Sequence, residues 1–289
     1  MPSLVCLNGA VMPPDEARVS VWDRGFLFGD AIYEVFRLYR GRCWLEQEHY
    51  ARLKRSVHAM EMGGIDLERL AQRVADTIKA SQIDEGIVYI QITRGAGPRY
   101  HAFPAPEIPP TEFIAVWPYD DHETARQRQT GIATISQPDL RWKRCDIKST
   151  NLLANVLANE HAHRMGAYEA ILVGADGCVS EATHSSVLWV RSGRLEGTPD
   201  GPGILPGTTR KLIHRLAHDE EVAFAETGVT LDELKRADEV LLLGTSIEIL
   251  PIVRIDDAPV AGGQPGPLTR RLQAAYRRAV DRWLATPPA

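Results

Sequence analysis

Lys148 is the residue whose position most favours covalent chemistry. It is one of only six lysines, and it follows a strand-like stretch and precedes a helical one. A lysine at such a junction can point into a cleft, where its amine can form a Schiff base with an aldehyde. Its pKa must then fall below the ~10.4 of a free lysine, which requires burial or nearby cations. The alternative is a solvated lysine in a basic segment, which is favoured for Lys54 and Lys79 because they lie in helical patterns.

A second candidate is an anion site at Thr208-Thr209-Arg210, which follows Gly207 and opens a helical pattern. A helix N-terminus presents N–H groups and partial positive charge that attract phosphate, and the threonine hydroxyls add donors. The alternative is an ordinary helix cap followed by surface residues. The preceding glycines have the spacing G-x-G-x-x-x-G, and no Walker A, G-x-S-x-G or H-E-x-x-H motif occurs. Nucleotide-dependent oxidoreductases and serine hydrolases are therefore disfavoured.

Composition narrows the class of protein further. The chain of 289 residues has a net charge of −5, which argues against nucleic acid as a partner. It lacks an apolar run near the ~20 residues that span a bilayer, so we expect no membrane partner. The segment Met1–Met12 lacks a basic start and a long apolar run, so we expect no signal peptide and a cytoplasmic location. The four cysteines are scattered without a C-x-x-C pair, which predicts a reducing compartment and no metal site.

Helical and strand patterns alternate along the chain, which predicts a mixed α/β fold. Between two predicted strands, the segment Arg94–Pro110 carries two glycines and five prolines and is expected to be a long, functional loop. Helices are predicted at 47–62, 67–78 with Asp66 as N-cap, 151–165, after Gly207, after a capping box at Thr230-x-x-Glu233, and at 268–284. Strands are predicted at 87–93, 112–117, 131–136, 168–173, 187–191 and 239–243.

The polar segment after the second strand is interpreted as a linker between two domains. We therefore predict a small N-terminal α/β domain at 1–118, a linker at 119–128 and a large C-terminal α/β domain at 129–289.

Several stretches resemble the fold-type IV pyridoxal-phosphate aminotransferases, the branched-chain aminotransferase-like class IV. The segment Asp23-Arg-Gly-Phe-Leu-Phe-Gly-Asp-Ala-Ile-Tyr-Glu-Val35 is similar to their N-terminal signature. The segments 145–149, 168–172 and 176–181 extend the resemblance, in order and with similar spacing, over nearly the whole chain. Within the group, Arg94-Gly-Ala-Gly-Pro-Arg-Tyr-His101 most resembles the D-amino acid aminotransferases. The resemblance implies a two-domain fold with the cofactor cleft between the domains, and a homodimer.

The resemblance also implies roles for individual residues. Lys148 corresponds to the Schiff-base lysine, and Glu181 to the carboxylate that pairs with the pyridine nitrogen of pyridoxal 5'-phosphate. The phosphate would be bound by Arg52, Thr208, Thr209, Gly244 and Thr245, and the ring would pack against Leu205. The substrate carboxylate would be received by Tyr33, Arg99 and His101, the last two reaching in from the partner subunit.

Each role has a simpler alternative. Glu181 could be a surface turn residue, Arg52 a solvated helix residue and Tyr33 a core aromatic, while Arg99 and His101 could be loop-surface residues.

The sequence departs from the family pattern at two positions. His184 lies in a stretch, Thr183-His184-Ser185-Ser186, where relatives are often serine-rich, and is expected to change the local hydrogen bonding. Gly244 replaces a frequent serine, which predicts a backbone-only contact.

The predicted activity is transamination between D-amino acids, such as D-alanine and D-glutamate, and 2-oxo acids such as 2-oxoglutarate. Alternatives on the same fold are a branched-chain L-amino acid aminotransferase, an (R)-amine transaminase and an aminodeoxychorismate lyase. A protein that binds the cofactor without catalysis is a further alternative, and the presence of both Lys148 and Glu181 argues against it.

Overall fold

A computed structural model describes residues Leu4–Pro287. In Met1–Met12, where we expect no signal peptide, the first three residues lie outside this range. The described chain divides into two compact units. Unit 1 runs up to Asp120 and also includes Ile147–Asn151, whereas unit 2 comprises Asp121–Asp146 and the chain from Leu152 onward.

Unit 1 is an antiparallel sheet with helices. Its six strands are arranged in the order β2-β1-β6-β5-β3-β4. The elements are β1 (Leu4–Leu7), β2 (Ala10–Met12), α1 (Arg24–Phe28), β3 (Ala31–Tyr39), β4 (Arg42–Cys43), α2 (Glu46–Ala59), α3 (Leu67–Ser81), β5 (Gly86–Thr93) and β6 (Thr111–Pro118).

The core of unit 1 lies where α2 and α3 pack against the sheet. Leu70 and Val74 of α3 are buried against apolar side chains of β3 and β5. The helix begins at Asp66, whose carboxylate accepts the backbone N–H groups of Glu68 and Arg69, as the sequence predicts. Burial of one helical face and satisfaction of its end together explain why this segment is helical.

Unit 2 is built on a larger mixed sheet in the order β12-β11-β10-β13-β14-β7-β8-β9, with β15 paired to β14. Its first elements are α4 (His122–Thr130), β7 (Ile132–Pro138), α5 (Leu153–Arg164), β8 (Glu169–Val173), β9 (Val179–Ala182), β10 (Ser186–Arg191) and β11 (Arg194–Gly197). The remaining ones are α6 (Thr208–Asp219), β12 (Phe224–Glu226), α7 (Leu231–Lys235), β13 (Glu239–Gly244), β14 (Glu248–Ile255), β15 (Ala258–Pro259) and α8 (Pro267–Ala285).

Strands β13 and β14 lie at the centre of this sheet, and their residues are almost entirely buried, as expected for strands covered on both faces. Trp189 of β10 is fully buried beside them, and its indole N–H donates to Glu196 at 2.8 Å. The bond satisfies the polar atom that burial removes from water.

The predicted mixed α/β fold class is confirmed, and each predicted helix and strand has a counterpart within a few residues. The capping box at Thr230 and Glu233 is present. Inside the predicted linker, however, the structure has helix α4, and Arg128 at its end is buried and bonded to Asp121 at 2.6 Å. The short segment Ile147–Asn151 also belongs to unit 1 rather than to the C-terminal unit.

Candidate active site

Lys148 lies beside strand β3 in unit 1. The backbone N–H of Tyr33 donates to the Lys148 carbonyl at 2.9 Å, and the backbone N–H of Lys148 donates to the Ser56 hydroxyl at 3.3 Å. The next residue, Ser149, bridges to Ile32. The half-buried lysine side chain places Nζ 4.1 Å from the centroid of the Tyr33 ring. Two elements, β3 and α2, therefore fix the backbone from which this amine projects.

A buried polar cluster lies next to this lysine in unit 1. The Glu34 carboxylate accepts Nε and Nη2 of Arg52 at 2.7 and 2.8 Å, and the Nδ1 atom of His49 lies 2.9 Å from it. Burial would raise the pKa of Glu34, but the charge and hydrogen bonds of Arg52 and His49 outweigh it and hold that pKa well below its usual range. Burial also lowers the pKa of His49. Arg52 is thus a buried, held guanidinium and not a solvated helix residue.

Arg99 and His101 lie in the predicted loop between β5 and β6, also in unit 1. Both side chains are exposed, and both contact the ring of Phe28 at the end of α1. The Arg99 guanidinium carbon lies 5.3 Å from the ring centroid, and the His101 ring packs edge-on at 5.7 Å. The structure brings these two predicted carboxylate-binding residues together on one aromatic side chain.

In unit 2, Glu181 of β9 is a buried carboxylate held by Arg141. Arg141 also makes a bidentate pair with Asp139, with distances of 2.9 and 2.7 Å. The Leu205 N–H lies 3.4 Å from both carboxylate oxygens of Glu181. Burial would raise the pKa of Asp139, but hydrogen bonds from Arg141 and Ser180 lower it. Glu181 is therefore a partnered, inward carboxylate and not a surface turn residue.

The N-terminus of α6, in unit 2, carries the threonines that are candidates for binding phosphate. Thr208 and Thr209 open this 12-residue helix and are 3% exposed. A Cβ on Gly207, the preceding residue, would lie 2.7 Å from the Ser186 hydroxyl, so glycine permits this close approach. A Cβ on Gly244 would lie 3.0 Å from Ile247 and 3.7 Å from the Ser185 hydroxyl. The N-terminus of α6 therefore carries two buried threonines, and a helix N-terminus with hydroxyl side chains presents the kind of donors that phosphate accepts.

His184 pairs with a different carboxylate. Its backbone N–H donates to Glu169 at 2.6 Å, and its Nδ1 atom lies 3.3 Å from the same buried side chain. Ser185 donates to Glu169 as well, at 2.8 Å. His184, which departs from the serine-rich pattern, is therefore accommodated in a turn whose backbone and side chains hydrogen-bond to Glu169.

Sequence comparison decides the family. Residues 31–255 match the family described as amino-transferase class IV. The chain belongs to the class IV aminotransferases. The D-alanine aminotransferase of Staphylococcus haemolyticus is 40% identical to it over 282 residues, covering 96% of this chain and 98% of the relative. The D-alanine aminotransferase of Bacillus licheniformis is 37% identical over 280 residues, covering 96% of each chain. Membership of the family makes pyridoxal 5'-phosphate the cofactor.

Solved structures of class IV aminotransferases share the fold. The branched-chain amino acid aminotransferase of Escherichia coli superposes with a TM-score of 0.88 at 25% identity, covering 96% of this chain and 94% of that one. The branched-chain enzyme of Thermoproteus uzoniensis, solved with norvaline, gives a TM-score of 0.83 at 27% identity, with 96% and 94% coverage. The predicted fold-type IV resemblance is confirmed by these similarities.

Three residues that hold the candidate site residues are not predicted from the sequence. These are Glu34 and His49, which hold Arg52, and Arg141, which holds Glu181. Glu34 follows Tyr33 inside the N-terminal signature, and this position is the sequence signal that could have identified it.

Between Leu4 and Pro287, no group of three or more His, Cys, Asp or Glu residues could hold a metal ion, and no helix is long and apolar enough to cross a membrane.

Proposed function

We propose that this class IV aminotransferase transfers amino groups between D-amino acids, such as D-alanine and D-glutamate, and 2-oxo acids such as 2-oxoglutarate. The observation that carries the proposal is the pairing of Arg99 and His101 on Phe28, which gives an exposed cationic and hydrogen-bonding surface for a carboxylate. The near-full-length similarity to D-alanine aminotransferases supports it.

The donor sets of the two units fit pyridoxal 5'-phosphate. Unit 1 offers a half-buried amine at Lys148 and a buried, oriented guanidinium at Arg52. Unit 2 offers a buried carboxylate at Glu181 and the helix N-terminus at Thr208 and Thr209. The cofactor, when bound, supplies an aldehyde that condenses with amines and a pyridinium ring that accepts electrons from the bond broken at the substrate α-carbon.

The residues divide the remaining work. The phosphate would be held by Arg52, the α6 hydroxyls, and Gly244 with Thr245, and the ring would pack against Leu205. Glu181, fixed by Arg141, would keep a proton on the pyridine nitrogen, because a buried carboxylate favours a cationic partner. Lys148 would join the cofactor covalently and would move the proton at the substrate α-carbon through Nζ.

The position of the carboxylate receptor would select the hand of the substrate. The α-hydrogen must face the amine of Lys148 that removes it. With the bond between the α-carbon and its hydrogen fixed in this direction, the substrate carboxylate and side chain take the two remaining sides. Exchanging those two sides inverts the enantiomer that the enzyme accepts. A receptor formed by Arg99, His101 and Tyr33 on one side therefore selects one hand, and the similarity to D-alanine aminotransferases supports the assignment of that hand as D.

We also propose a homodimer in which Arg99 and His101 serve the partner's site. Val19, Val21 and Trp22 lie in the stretch before α1 and are 50, 66 and 57% exposed. On α5 in unit 2, Leu153 and Leu157 are 71 and 63% exposed. Exposed apolar patches of this kind mark protein interfaces. A cytoplasmic location is proposed as well, consistent with four free cysteines.

A substrate panel tests the activity. The purified enzyme is given D- and L-alanine, D- and L-glutamate, L-leucine, L-valine and (R)-1-phenylethylamine, each with 2-oxoglutarate or pyruvate. We expect turnover with D-alanine and D-glutamate and little with the L forms. Preference for L-leucine or L-valine would instead assign branched-chain activity, and preference for the amine would assign an (R)-amine transaminase.

A further inference from the structure

The region around α1 has a feature that the catalytic roles above leave unused, the buried Arg24. This side chain is 3% exposed. Its Nη1 atom donates to the carbonyls of Tyr100 and Ala102, at 2.8 and 3.4 Å, and its Nη2 atom donates to the His101 carbonyl at 3.4 Å. One guanidinium therefore binds three consecutive carbonyls of the loop that carries Arg99.

The ring of Phe28, one turn further along α1, lies among the side chains of this region. Its centroid is 4.9 Å from the guanidinium carbon of Arg24 and 5.3 Å from that of Arg99. The His101 ring meets it edge-on at 5.7 Å with an interplanar angle of 63°. An aromatic face attracts guanidinium groups, so this ring orients Arg99 while leaving it exposed.

The ends of the same loop are clamped by the acidic residues that flank α1. Asp30 accepts Nε of Arg24 at 2.8 Å and Nε of Arg94 at 2.9 Å. Asp23 accepts the hydroxyls of Thr93 and Thr111, the residues that border the loop, at 2.9 and 2.7 Å. The segment 23–30 thus holds the loop at both ends and in the middle.

Such bracing has a consequence for binding. Long exposed side chains lose rotamer freedom when they bind a ligand, and this loss weakens affinity unless they are already ordered. Arg99 and His101 are exposed, yet each has a fixed aromatic neighbour, and the backbone between them is bound by a buried cation.

We propose that Phe28 and Arg24 are positioning residues, which hold Arg99 and His101 as a preformed receptor for the substrate carboxylate. The inference rests on the proposed function, which assigns that carboxylate to Arg99 and His101. In this proposal the two residues act through the loop that they contact and not by binding substrate or cofactor.

The test uses the full-length holoenzyme carrying Phe28→Leu, which removes the aromatic face while retaining an apolar side chain. Phe28→Tyr keeps the ring and is the rescue variant. Phe224→Leu, the same change at a half-buried phenylalanine of unit 2, is the matched control. Three quantities are measured: hydrogen exchange of the amides at 99–102, the Kd of propionate as an unreactive carboxylate, and KM and kcat for D-alanine.

In Phe28→Leu we expect faster exchange at 99–102, together with a rise of roughly 3- to 10-fold in both the propionate Kd and the D-alanine KM. The kcat and the cofactor content should change little. Phe28→Tyr and Phe224→Leu should match the wild type. A structural role alone would lower kcat and cofactor content along with affinity.

Three results would overturn the inference: unchanged exchange, faster exchange with unchanged propionate affinity, or wild-type protein that does not bind propionate. The outcome is separable from that of the proposed function. If Arg99→Ala raises the D-alanine KM but Phe28→Leu does not, the function stands and the positioning role is wrong. If the wild type does not turn over D-amino acids, the function fails, whereas exchange and propionate binding still decide the positioning role.

Discussion

The Nζ atom of Lys148 lies 4.1 Å from the centroid of the Tyr33 ring, and the backbone N–H of Tyr33 donates to the Lys148 carbonyl at 2.9 Å. The same residue of β3 thus aligns the lysine backbone and covers its amine. An amine held against an aromatic face has few orientations, which favours a defined path for proton transfer.

Replacing Lys148 with alanine is expected to abolish turnover, by roughly 10³-fold or more, because both the covalent attachment and the proton carrier are lost. Borohydride reduction of the wild-type holoenzyme followed by peptide mass spectrometry should label Lys148. Lys143→Ala, a change at an exposed lysine nearby, is the control and should keep wild-type activity. Labelling of another lysine would show that the assignment is wrong.

Glu181→Gln is expected to retain bound cofactor but to slow removal of the α-proton by about 10²-fold, because a neutral amide no longer favours a protonated pyridine nitrogen. Single-turnover absorbance measurements with α-deuterated and ordinary D-alanine would report this step. Glu160→Gln, at a half-exposed carboxylate on α5, serves as control. Wild-type single-turnover rates in Glu181→Gln would contradict the role.

Arg99→Ala is expected to raise the KM for D-alanine, corresponding to a loss of about 1.5–3 kcal/mol for one charged hydrogen bond. The effect should be much smaller for (R)-1-phenylethylamine, which has no carboxylate to bind. Steady-state kinetics with both compounds checks this. Unchanged kinetics with D-alanine would remove Arg99 from the carboxylate receptor.

The proposed homodimer predicts complementation between one inactive variant, Lys148→Ala, and one weakened variant, Arg99→Ala. Lys148→Ala and Arg99→Ala subunits are each inactive or weakened, but a mixed dimer would contain one site with both residues intact. Activity should therefore appear after subunit exchange, to about a quarter of the wild-type value when half of the subunits are of each kind and pair at random. Absence of recovery, with exchange demonstrated by native mass spectrometry, would argue against shared sites.

Acid should destabilise the protein partly through His214. Its ring packs 3.7 Å from that of Phe224, and its Nε2 atom is buried without a hydrogen-bond partner among residues 4–287. Burial lowers the pKa of His214 to about 4. The unfolded chain takes up this proton near pH 6.5 but the folded chain does not, so the free energy of unfolding falls as pH drops from about 6.5 to about 4.

Because the histidine is only half-buried, its contribution is about 1 to 2 kcal/mol. Urea unfolding at pH 7.5 and 4.5 should show a smaller loss of stability in His214→Leu than in the wild type. His218→Leu, on the same helix with a 92% exposed side chain, should follow the wild type. An unchanged pH dependence in His214→Leu would contradict the prediction.

The helix caps could be predicted from the sequence because they depend on hydrogen bonds between residues close together in the chain. Asp66 caps α3, and Thr230 with Glu233 forms the capping box, since both depend on residues three positions apart. The polar composition of helix α4 lacks an apolar stripe and therefore favours a linker over a helix. Its pairing of Glu123 with Arg126, three residues on, could have indicated a helix.

Ion pairs between residues far apart in the chain could not be predicted from the sequence. Arg141 meets Glu181 across forty positions, and Glu34 meets Arg52 across eighteen, so no spacing rule connects them. The roles of the buried arginines depend on which carboxylate the fold brings to them. The position of Lys148 between a strand and a helix points to it from the sequence alone, whereas the role proposed for Glu181 depends on the family resemblance. The residues that fix Glu181 and Arg52 required coordinates.

The short segment Ile147–Asn151 belongs to the unit whose other residues end at Asp120, so the polypeptide leaves that unit and comes back before leaving again. No single cut in the gene can then yield this unit whole. A fragment ending at residue 120 would lack the strand-pairing segment and, with it, the reactive amine. A chimera of two relatives joined at this boundary would take the lysine from one parent and the Tyr33 side chain against which it rests from the other, although both residues, 115 positions apart, belong to one unit.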